Sequence, residues 1–225
     1  MSIILCIESA TPICSVALLR DRSVFLRETN EGFSHAEKLT VFISEVLIEA
    51  GIKPTDVDAI AISSGPGSYT GLRIGVSVAK GLCFAMDKPL ISISTLEAMA
   101  VAAKTVLQLK NNALYCPMID ARRMEVYAAL FDEKIKLLHP PEAIVVTDAL
   151  FSDWRKNNKI YFFGDGAEKC TALLKEEDGF MYCKGIFPSA IHMTELAEMK
   201  FRNEEFEDVS LFEPVYLKEY MPGRR

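Results

Sequence analysis

The strongest constraint on the fold is an order of secondary-structure elements that occurs twice along the chain. Apolar runs and the turn residues between them predict strand, strand, strand, helix, strand, helix over the first half, and the same order over the second half. Little residue identity relates the halves, so the repeat is one of architecture. It predicts a duplicated α/β protein of two lobes, residues 1–105 and 106–225, each a mixed sheet with flanking helices and a crevice at their junction.

The elements of the first lobe have clear boundaries in the sequence. Its predicted strands cover residues 3–7, 14–19, 24–28, 57–63 and 89–93, and its predicted helices cover 34–50, 70–86 and 95–109. Ser34 is expected to cap the first helix with Glu37 as its capping-box partner, and Gly51 to end it. In the second lobe, strands are predicted at 114–120, 125–131, 143–146 and 160–163, and helices at 148–156 and from Gly164 to about Lys175.

Charge and cysteine usage limit the class of protein. The chain has 25 Lys and Arg against 31 Asp and Glu, a formal net charge of −6, and lacks the basic stripe of a nucleic-acid-binding surface. Any contact with RNA is therefore expected to be indirect. The six cysteines form no Cys-x-x-Cys pair, which favours a reducing compartment. The apolar stretch 3–7 is short and runs into Glu8, so we predict no signal peptide, no membrane span and a cytoplasmic protein.

A glycine-rich loop follows the fourth predicted strand and opens a helix. The residues that mark it are Gly65, Gly67, Ser68, Thr70 and Arg73. Glycines permit close backbone approach and a helix N-terminus offers free N–H groups, which is typical of a phosphate cradle or a contact surface. The alternative is a tight strand-to-helix turn with Thr70 as the cap. The loop lacks the Gly-Lys-Ser/Thr of a Walker motif and does not match the dinucleotide fingerprint.

The helix after this loop is rich in small side chains. They are Gly71, Gly75, Ser77, Ala79, Gly81 and Ala85. Each internal glycine costs roughly 1 kcal/mol of helix stability relative to alanine. This cost is offset if another backbone packs closely on the helix, either from the chain's own sheet or from a partner.

The preceding helix, residues 34–50, is apolar over more than one face. Val41, Phe42 and Ile48 widen its core stripe, which favours either deep burial or docking against another molecule. Together, the two helices predict a helix-pairing surface. Its predicted partner contacts are Leu39, Phe42, Ile43, Val46, Gly71, Gly75, Val78, Ala79 and Leu82.

Three stretches of the sequence resemble a known family. Gly65 to Gly75 reads GPGSYTGLRIG, Ala79 to Leu82 reads AKGL, and Asp120 to Tyr127 reads DARRMEVY. These stretches resemble the TsaB family, formerly YeaZ, whose members are accessory subunits in bacterial synthesis of threonylcarbamoyladenosine (t6A) in tRNA. The resemblance extends over essentially the whole chain. It implies an actin-like fold of the hexokinase/Hsp70 (ASKHA) type, in agreement with the repeated order of elements.

The resemblance also implies partners. In the family, TsaB pairs with a catalytic paralogue, TsaD, and with the ATPase TsaE, and TsaD transfers threonylcarbamoyl to the adenosine 3′ of the tRNA anticodon. TsaB contributes helices of its first lobe to a bundle with TsaD, which here are helices 34–50 and 70–86. A homodimer through the same surface is expected when TsaD is absent, and tRNA is expected to be met only through the complex.

The histidines argue against a metal enzyme. The catalytic paralogue holds its metal with a His-x-x-x-His pair, whose spacing places both imidazoles on one helix face. Here His35 is followed four residues later by Leu39, and no other histidine lies nearby in sequence. We therefore predict no metal site. Members of this M22-like family were once called glycoproteases, but no serine, cysteine or His-Glu-x-x-His arrangement supports a peptidase.

The acidic residues at the strand ends leave nucleotide binding open. Actin-like proteins usually carry an aspartate after the first strand, where this chain has Glu8, and the longer side chain fits octahedral magnesium poorly. Glu8 and Asp120 occupy similar places in the two halves and either face the crevice or cap turns, the second being favoured. No cofactor is predicted, with weak ATP or ADP binding as the alternative. Arg122 and Arg123 are either a phosphate contact or a solvated hairpin tip.

The leading hypothesis is a non-catalytic scaffold subunit. The second is a small-molecule kinase or ATPase of the same fold, and the third, least favoured, is a peptidase.

Overall fold

The chain folds into two α/β units. The computed structural model describes residues 2–30, 35–109 and 112–218. Over these residues the helices are α1 His35–Ala50, α2 Tyr69–Met86, α3 Thr95–Leu107, α4 Ser152–Arg155 and α5 Thr194–Arg202. The strands are β1 Ile4–Glu8, β2 Cys14–Arg20, β3 Ser23–Thr29, β4 Ala59–Gly65, β5 Leu90–Ser94, β6 Ala113–Asp120, β7 Glu125–Phe131, β8 Leu137–Val145, β9 Lys159–Phe163 and β10 Phe180–Tyr182.

The two sheets have the same topology. The first has the order β3-β2-β1-β4-β5 and the second has the order β8-β7-β6-β9-β10. In each, the first three strands form an antiparallel meander, the fourth pairs with the first in parallel, and the fifth pairs with the fourth in parallel. This shared order confirms the duplicated α/β fold predicted from the repeated elements.

The boundary between the units differs from the predicted one. The first unit comprises Met1–Ala98 together with Pro188–Val215, and the second comprises Met99–Phe187 together with Tyr216–Arg225. The predicted division at residue 105 was contiguous. It missed the late segment, residues 188–215, which includes α5 and packs on the first sheet.

The first unit buries both faces of its sheet. Successive side chains of β1 alternate between the faces, and every residue of the strand is buried. Leu5 and Ile7 pack on the side of α1 and α2. Ile4 and Cys6 pack on the opposite side, in a cluster that includes Ala197 of α5. Strand β1 is therefore buried on both faces.

The core of the second unit is built on β6, β7 and β9. Cys116, Val126 and Phe162 belong to one cluster with residues of the loops that follow β8 and β9. Phe162 and Phe180 meet edge to face, with their ring centroids 6.0 Å apart.

Several local predictions are corrected. The third strand of the second half is longer than predicted and contains Pro140 and Pro141, which an edge strand tolerates because its outer N–H groups are unpaired. A 3₁₀ turn, Glu168–Ala172, replaces the helix expected to reach Lys175. Strand β10 and helix α5 were not predicted.

The proposed Ser34 cap lies outside the described residues, whereas Gly51 does end α1, with φ +65°. Over the described parts of the chain, no helix is long and apolar enough to cross a membrane.

Candidate functional site

The glycine loop closes on the chain's own first turn. Strand β4 ends at Gly65, whose φ of +100° suits glycine. A Cβ atom at Gly67 would lie only 2.3 Å from the Ala10 carbonyl oxygen, and the Ser68 amide donates to that same oxygen at 2.6 Å. The glycine at position 67 is therefore required by the close approach of residues 9–12, the turn that follows β1.

Ser68 caps helix α2. Its Oγ accepts a hydrogen bond from the Gly71 amide at 3.3 Å, and its backbone is extended as an N-cap requires. The alternative in which Thr70 caps the helix is wrong, since Thr70 lies exposed within the first turn. The amides of Ser68 and Gly71 are thus both bound within the chain. This internal use argues against an open phosphate cradle at these two donors.

The two glycines in the first half of α2 pack against Ser9. A Cβ at Gly71 would come within 2.1 Å of the Ser9 carbonyl oxygen, and one at Gly75 within 2.1 Å of the Ser9 hydroxyl. That hydroxyl donates to the Gly71 carbonyl at 2.9 Å. The spacing of four residues places Gly71 and Gly75 on one helix face. They admit the chain's own backbone, which corrects the prediction that they admit a partner's helix.

The predicted partner contacts divide into two groups. Six of them are buried in the first unit's own core: Leu39, Ile43, Val46, Gly71, Gly75 and Ala79. These six point inward because they form the core stripes of α1 and α2, so the contact set predicted from sequence is corrected at these positions. The other three, Phe42, Val78 and Leu82, are half-buried and pack on the edge of the core.

An apolar outer surface remains on the two helices. We define the outer surface of α1 and α2 by Val41, Phe42, Ile48, Val78, Gly81, Leu82 and Phe84. Phe84 is 89% exposed, Ile48 76% and Val41 48%. At Gly81 a Cβ would meet no atom within 4 Å, so this glycine, unlike Gly71, faces open space. Large apolar side chains at such exposure are typical of a surface that binds a partner.

Polar contacts fix both flanks of this surface. On the α1 side, Arg27 of β3 pairs with Glu45 at 2.8 Å and with Glu49 at 2.7 Å. On the α2 side, the Lys80 ammonium donates to the carbonyls of Ser210 and Phe212 at 3.0 and 3.1 Å. These contacts tie the helices to a strand on one side and to the late segment on the other.

Glu8 is a buried turn cap. Its side chain is fully buried, and Oε1 accepts a hydrogen bond from the Ala10 amide at 2.6 Å. Burial raises the pKa of this carboxyl to about 7, against the opposing effect of the Ala10 amide. A carboxylate that is buried in this way and already bound to the backbone does not fit the open, hydrated coordination that magnesium requires.

Asp120 occupies the equivalent place in the second unit and also caps a turn. Its Oδ1 accepts from the Arg122 amide at 3.1 Å, two residues ahead, as Glu8 does from Ala10. It also forms an ion pair with Lys169. The turn-capping interpretation is therefore confirmed for both carboxylates. With Asp120 bound to an ammonium and an amide, its environment does not fit a magnesium ion either.

His35 has a structural role. Its Nε2 lies 2.7 Å from the Thr11 carbonyl oxygen, and its ring lies against Gly71. Leu39, in the position of a second histidine ligand, is fully buried. Among residues 2–30, 35–109 and 112–218, no three or more His, Cys, Asp or Glu side chains are grouped so that they could hold a metal ion.

Arg73 and the late segment complete the surroundings of the loop. The Arg73 guanidinium lies 4.6 Å from the ring centroid of Tyr69, so it stacks on the first turn of α2. The Val215 amide donates to the Ser64 carbonyl at 2.8 Å, which ties the late segment to the end of β4. Sequence reasoning missed this segment and Ser9, because no local pattern reports a contact between residues so far apart.

The loops after the fourth strands are built alike in both units. Gly65 and Gly164 both have positive φ, +100° and +109°. Two residues later, a Cβ at Gly166 would lie 2.7 Å from the Ile119 carbonyl carbon, just as one at Gly67 would strike Ala10. Two sheets of identical strand order, each with this glycine closure, define a duplicated protein of the actin-like, hexokinase/Hsp70 class.

Comparison with known proteins identifies the family. A family model described as "TsaD: tRNA N6-adenosine threonylcarbamoyltransferase" matches residues 32–218. The tRNA threonylcarbamoyladenosine biosynthesis protein TsaB of Haemophilus influenzae is 30% identical over 98% of each chain. TsaB of Escherichia coli is 32% identical over 96% of this chain and 94% of that protein. The chain superposes on the solved structure of YeaZ from Pseudomonas aeruginosa with a TM-score of 0.86 and 27% identity, covering 96% and 100% of the two chains. The chain belongs to the TsaB (YeaZ) family.

Proposed function

We propose that the chain is a non-catalytic scaffold subunit in the synthesis of tRNA threonylcarbamoyladenosine. It pairs with a TsaD-type catalytic subunit and works with a TsaE-type ATPase, in the cytoplasm. Family membership supports the pathway, because relatives of nearly the same length are named as biosynthesis proteins for this modification.

The observation that carries the proposal is the outer surface of α1 and α2. Its exposed apolar side chains, Val41, Ile48 and Phe84, stand on helices whose inner faces are already committed to the core. The open position at Gly81 leaves room for a partner's side chain or helix to approach α2 closely. Without the catalytic partner, the same surface is expected to pair two copies of this chain.

The candidate catalytic groups have structural uses. His35 is bound to the Thr11 carbonyl, Glu8 is buried against Ala10, and Asp120 is paired with Lys169. Each of these side chains is thus already bound to another group of the same chain, whereas a catalytic role would require it to be free to contact a substrate, a nucleotide or a metal ion. These uses support a subunit that needs no cofactor of its own and that acts by holding its partner.

Reconstitution tests the proposal. The purified chain, its TsaD-type and TsaE-type partners, ATP, threonylcarbamoyl adenylate as the donor and an unmodified tRNA transcript are combined, with each protein left out in turn. We expect modification only when this chain is present, and none from this chain alone. Undiminished modification without it would contradict the scaffold role.

Calorimetry with Mg-ATP separates the scaffold from the alternative kinase or ATPase. The isolated chain is expected to show neither tight binding nor turnover. Tight binding with steady hydrolysis by the chain alone would favour the enzyme. The peptidase alternative would require cleavage of a protein substrate that a single side-chain substitution abolishes.

A further inference from the structure

The tip of the β6–β7 hairpin carries two adjacent arginines in an unfavourable backbone conformation. Arg122 and Arg123 have φ values of +70° and +51°, and both are exposed. This left-handed region suits glycine and asparagine, and other residues adopt it at a cost of about 1–2 kcal/mol each. Neither burial nor packing of these side chains offsets that cost.

Two carboxylates beside the tip are paired with lysines, whereas the two arginines have no such partner among the described residues. Lys169 pairs with Asp120, and Lys218 pairs with Glu125. A third carboxylate, that of Asp165, accepts a hydrogen bond from the Asp120 backbone amide at 3.2 Å. Within the described parts of the chain, neither the Arg122 nor the Arg123 guanidinium has a hydrogen bond or ion pair. Two unneutralised cations therefore stand side by side on a chain whose net charge is −6.

The backbone holds the tip in place. The Ala121 amide donates to the Glu125 carbonyl at 3.1 Å, and the Glu125 amide donates to the Arg122 carbonyl at 3.2 Å. The Val146 amide donates to the Met124 carbonyl at 2.8 Å, which ties the tip to the chain just after β8. The arginines are thus presented from a fixed turn, so little backbone entropy is lost when they bind.

We infer that Arg122 and Arg123 bind phosphate groups of the RNA backbone. The inference rests on the proposed function, in which the complex acts on tRNA, and it adds a direct contact from this subunit. A guanidinium presents a planar fork of donors that matches phosphate oxygens. An exposed tip suits an extended polymer, whereas a free mononucleotide is normally enclosed in a cleft.

The test replaces both arginines without disturbing the turn. Asparagine tolerates the left-handed region, so Arg122→Asn/Arg123→Asn removes the charge and keeps the backbone. The matched control is Arg22→Asn, since Arg22 is an exposed arginine at φ +69° on the β2–β3 hairpin of the first unit. Melting temperatures of both variants at or above that of the wild type establish that the fold is intact, since asparagine suits the left-handed region better than arginine.

Binding of a fluorescent, unmodified tRNA transcript is measured by anisotropy over a range of salt concentrations, with the chain assembled with its TsaD-type partner. For the double variant we expect affinity to fall about tenfold or more at low salt, and the slope of log K against log salt to decrease in magnitude by about 1.5–2, the value for two lost phosphate contacts. Arg22→Asn is expected to bind as the wild type does.

Two outcomes would overturn the inference. They are unchanged tRNA affinity in the double variant, or an equal loss of affinity in Arg22→Asn. Assembly is followed separately by size-exclusion chromatography. If the wild-type chain does not assemble, the proposed function fails, and the RNA contact is then tested on the isolated chain at a salt concentration on the order of 50 mM.

Discussion

Gly71 and Gly81 lie on the same helix in opposite environments. A Cβ at Gly71 would press against the Ser9 backbone at 2.1 Å, while one at Gly81 would meet nothing within 4 Å. We expect Gly71→Ala to lower the free energy of unfolding by about 2–3 kcal/mol through overpacking. Gly81→Ala should raise it by roughly 0.5–1 kcal/mol, because alanine favours the helix.

Urea denaturation of the two glycine variants measures this difference directly. Gly81→Ala serves as the control for the general effect of alanine in α2. A Gly71→Ala protein as stable as the wild type would show that Ser9 does not pack on this helix as described.

Glu8 should make stability depend on pH near neutrality. Burial raises its pKa to about 7 in the folded chain, above the value of about 4.3 for an unfolded glutamate. The folded state therefore binds the proton more tightly, and its stability decreases as the pH rises between these two values. Relative to Glu8→Gln, which keeps an acceptor for Ala10 but does not titrate, the wild type should lose about 3 kcal/mol between about pH 5 and pH 8.

The measurement is the free energy of unfolding of both proteins across this pH range. Comparison with Glu8→Gln removes the contribution of every other titrating group. Parallel pH profiles for the two proteins would mean that the pKa of Glu8 is not raised toward neutrality in the folded chain.

Single residues were the hardest features to predict from sequence. The sequence indicated that another backbone packs closely on the glycines of the loop and of α2. The residues around these glycines did not indicate whether that backbone belongs to the same chain or to a partner. The answer depends on Ser9 and Ala10, which reach these glycines only through the pairing of β1 with β4. By contrast, Glu8 and Asp120 were correctly favoured as turn caps, because a carboxylate before a turn bonds to nearby amides.

At the scale of elements, the cap of α2 offers a clean test. Ser68 Oγ accepts from the Gly71 amide, whereas Thr70 is exposed two residues later. Ser68→Ala should lower the free energy of unfolding by about 1 kcal/mol, the usual cost of a lost N-cap. Thr70→Ala should change it little, so equal losses in the two variants, measured by thermal or urea unfolding, would contradict the assignment of the cap.

Elements whose apolar residues repeat regularly along the sequence were predicted well, whereas elements that depend on tertiary packing were not. The hairpin β2–β3 and the helix α2 appeared within a residue or two of their predicted bounds. Strand β8 includes Pro140 and Pro141. Proline lacks a backbone N–H donor, and a strand at a sheet edge tolerates this because one of its sides has no partner strand. Helix α5 has a polar composition and depends on packing against the first sheet, which its own sequence does not report.

At the scale of the whole molecule, the repeated order of elements carried the prediction. It led to the correct duplicated fold because each half builds the same five-stranded sheet. It did not lead to the correct extent of the units, since residues 188–215 return to the first unit after the last strand of the second sheet. Patterns of local periodicity contain no information about such a return.

The central claim is that the chain works by pairing through the outer surface of α1 and α2. The most direct measurement is the affinity of the chain for its TsaD-type partner, by calorimetry, for the wild type and Ile48→Asp/Phe84→Asp. Val106→Asp is the control, because Val106 is 65% exposed on α3 and is not part of the defined surface. Loss of two apolar side chains that the partner would bury should weaken binding by at least about 100-fold, with the affinity of Val106→Asp unchanged. Wild-type affinity in the double variant, with its fold intact, would contradict the account.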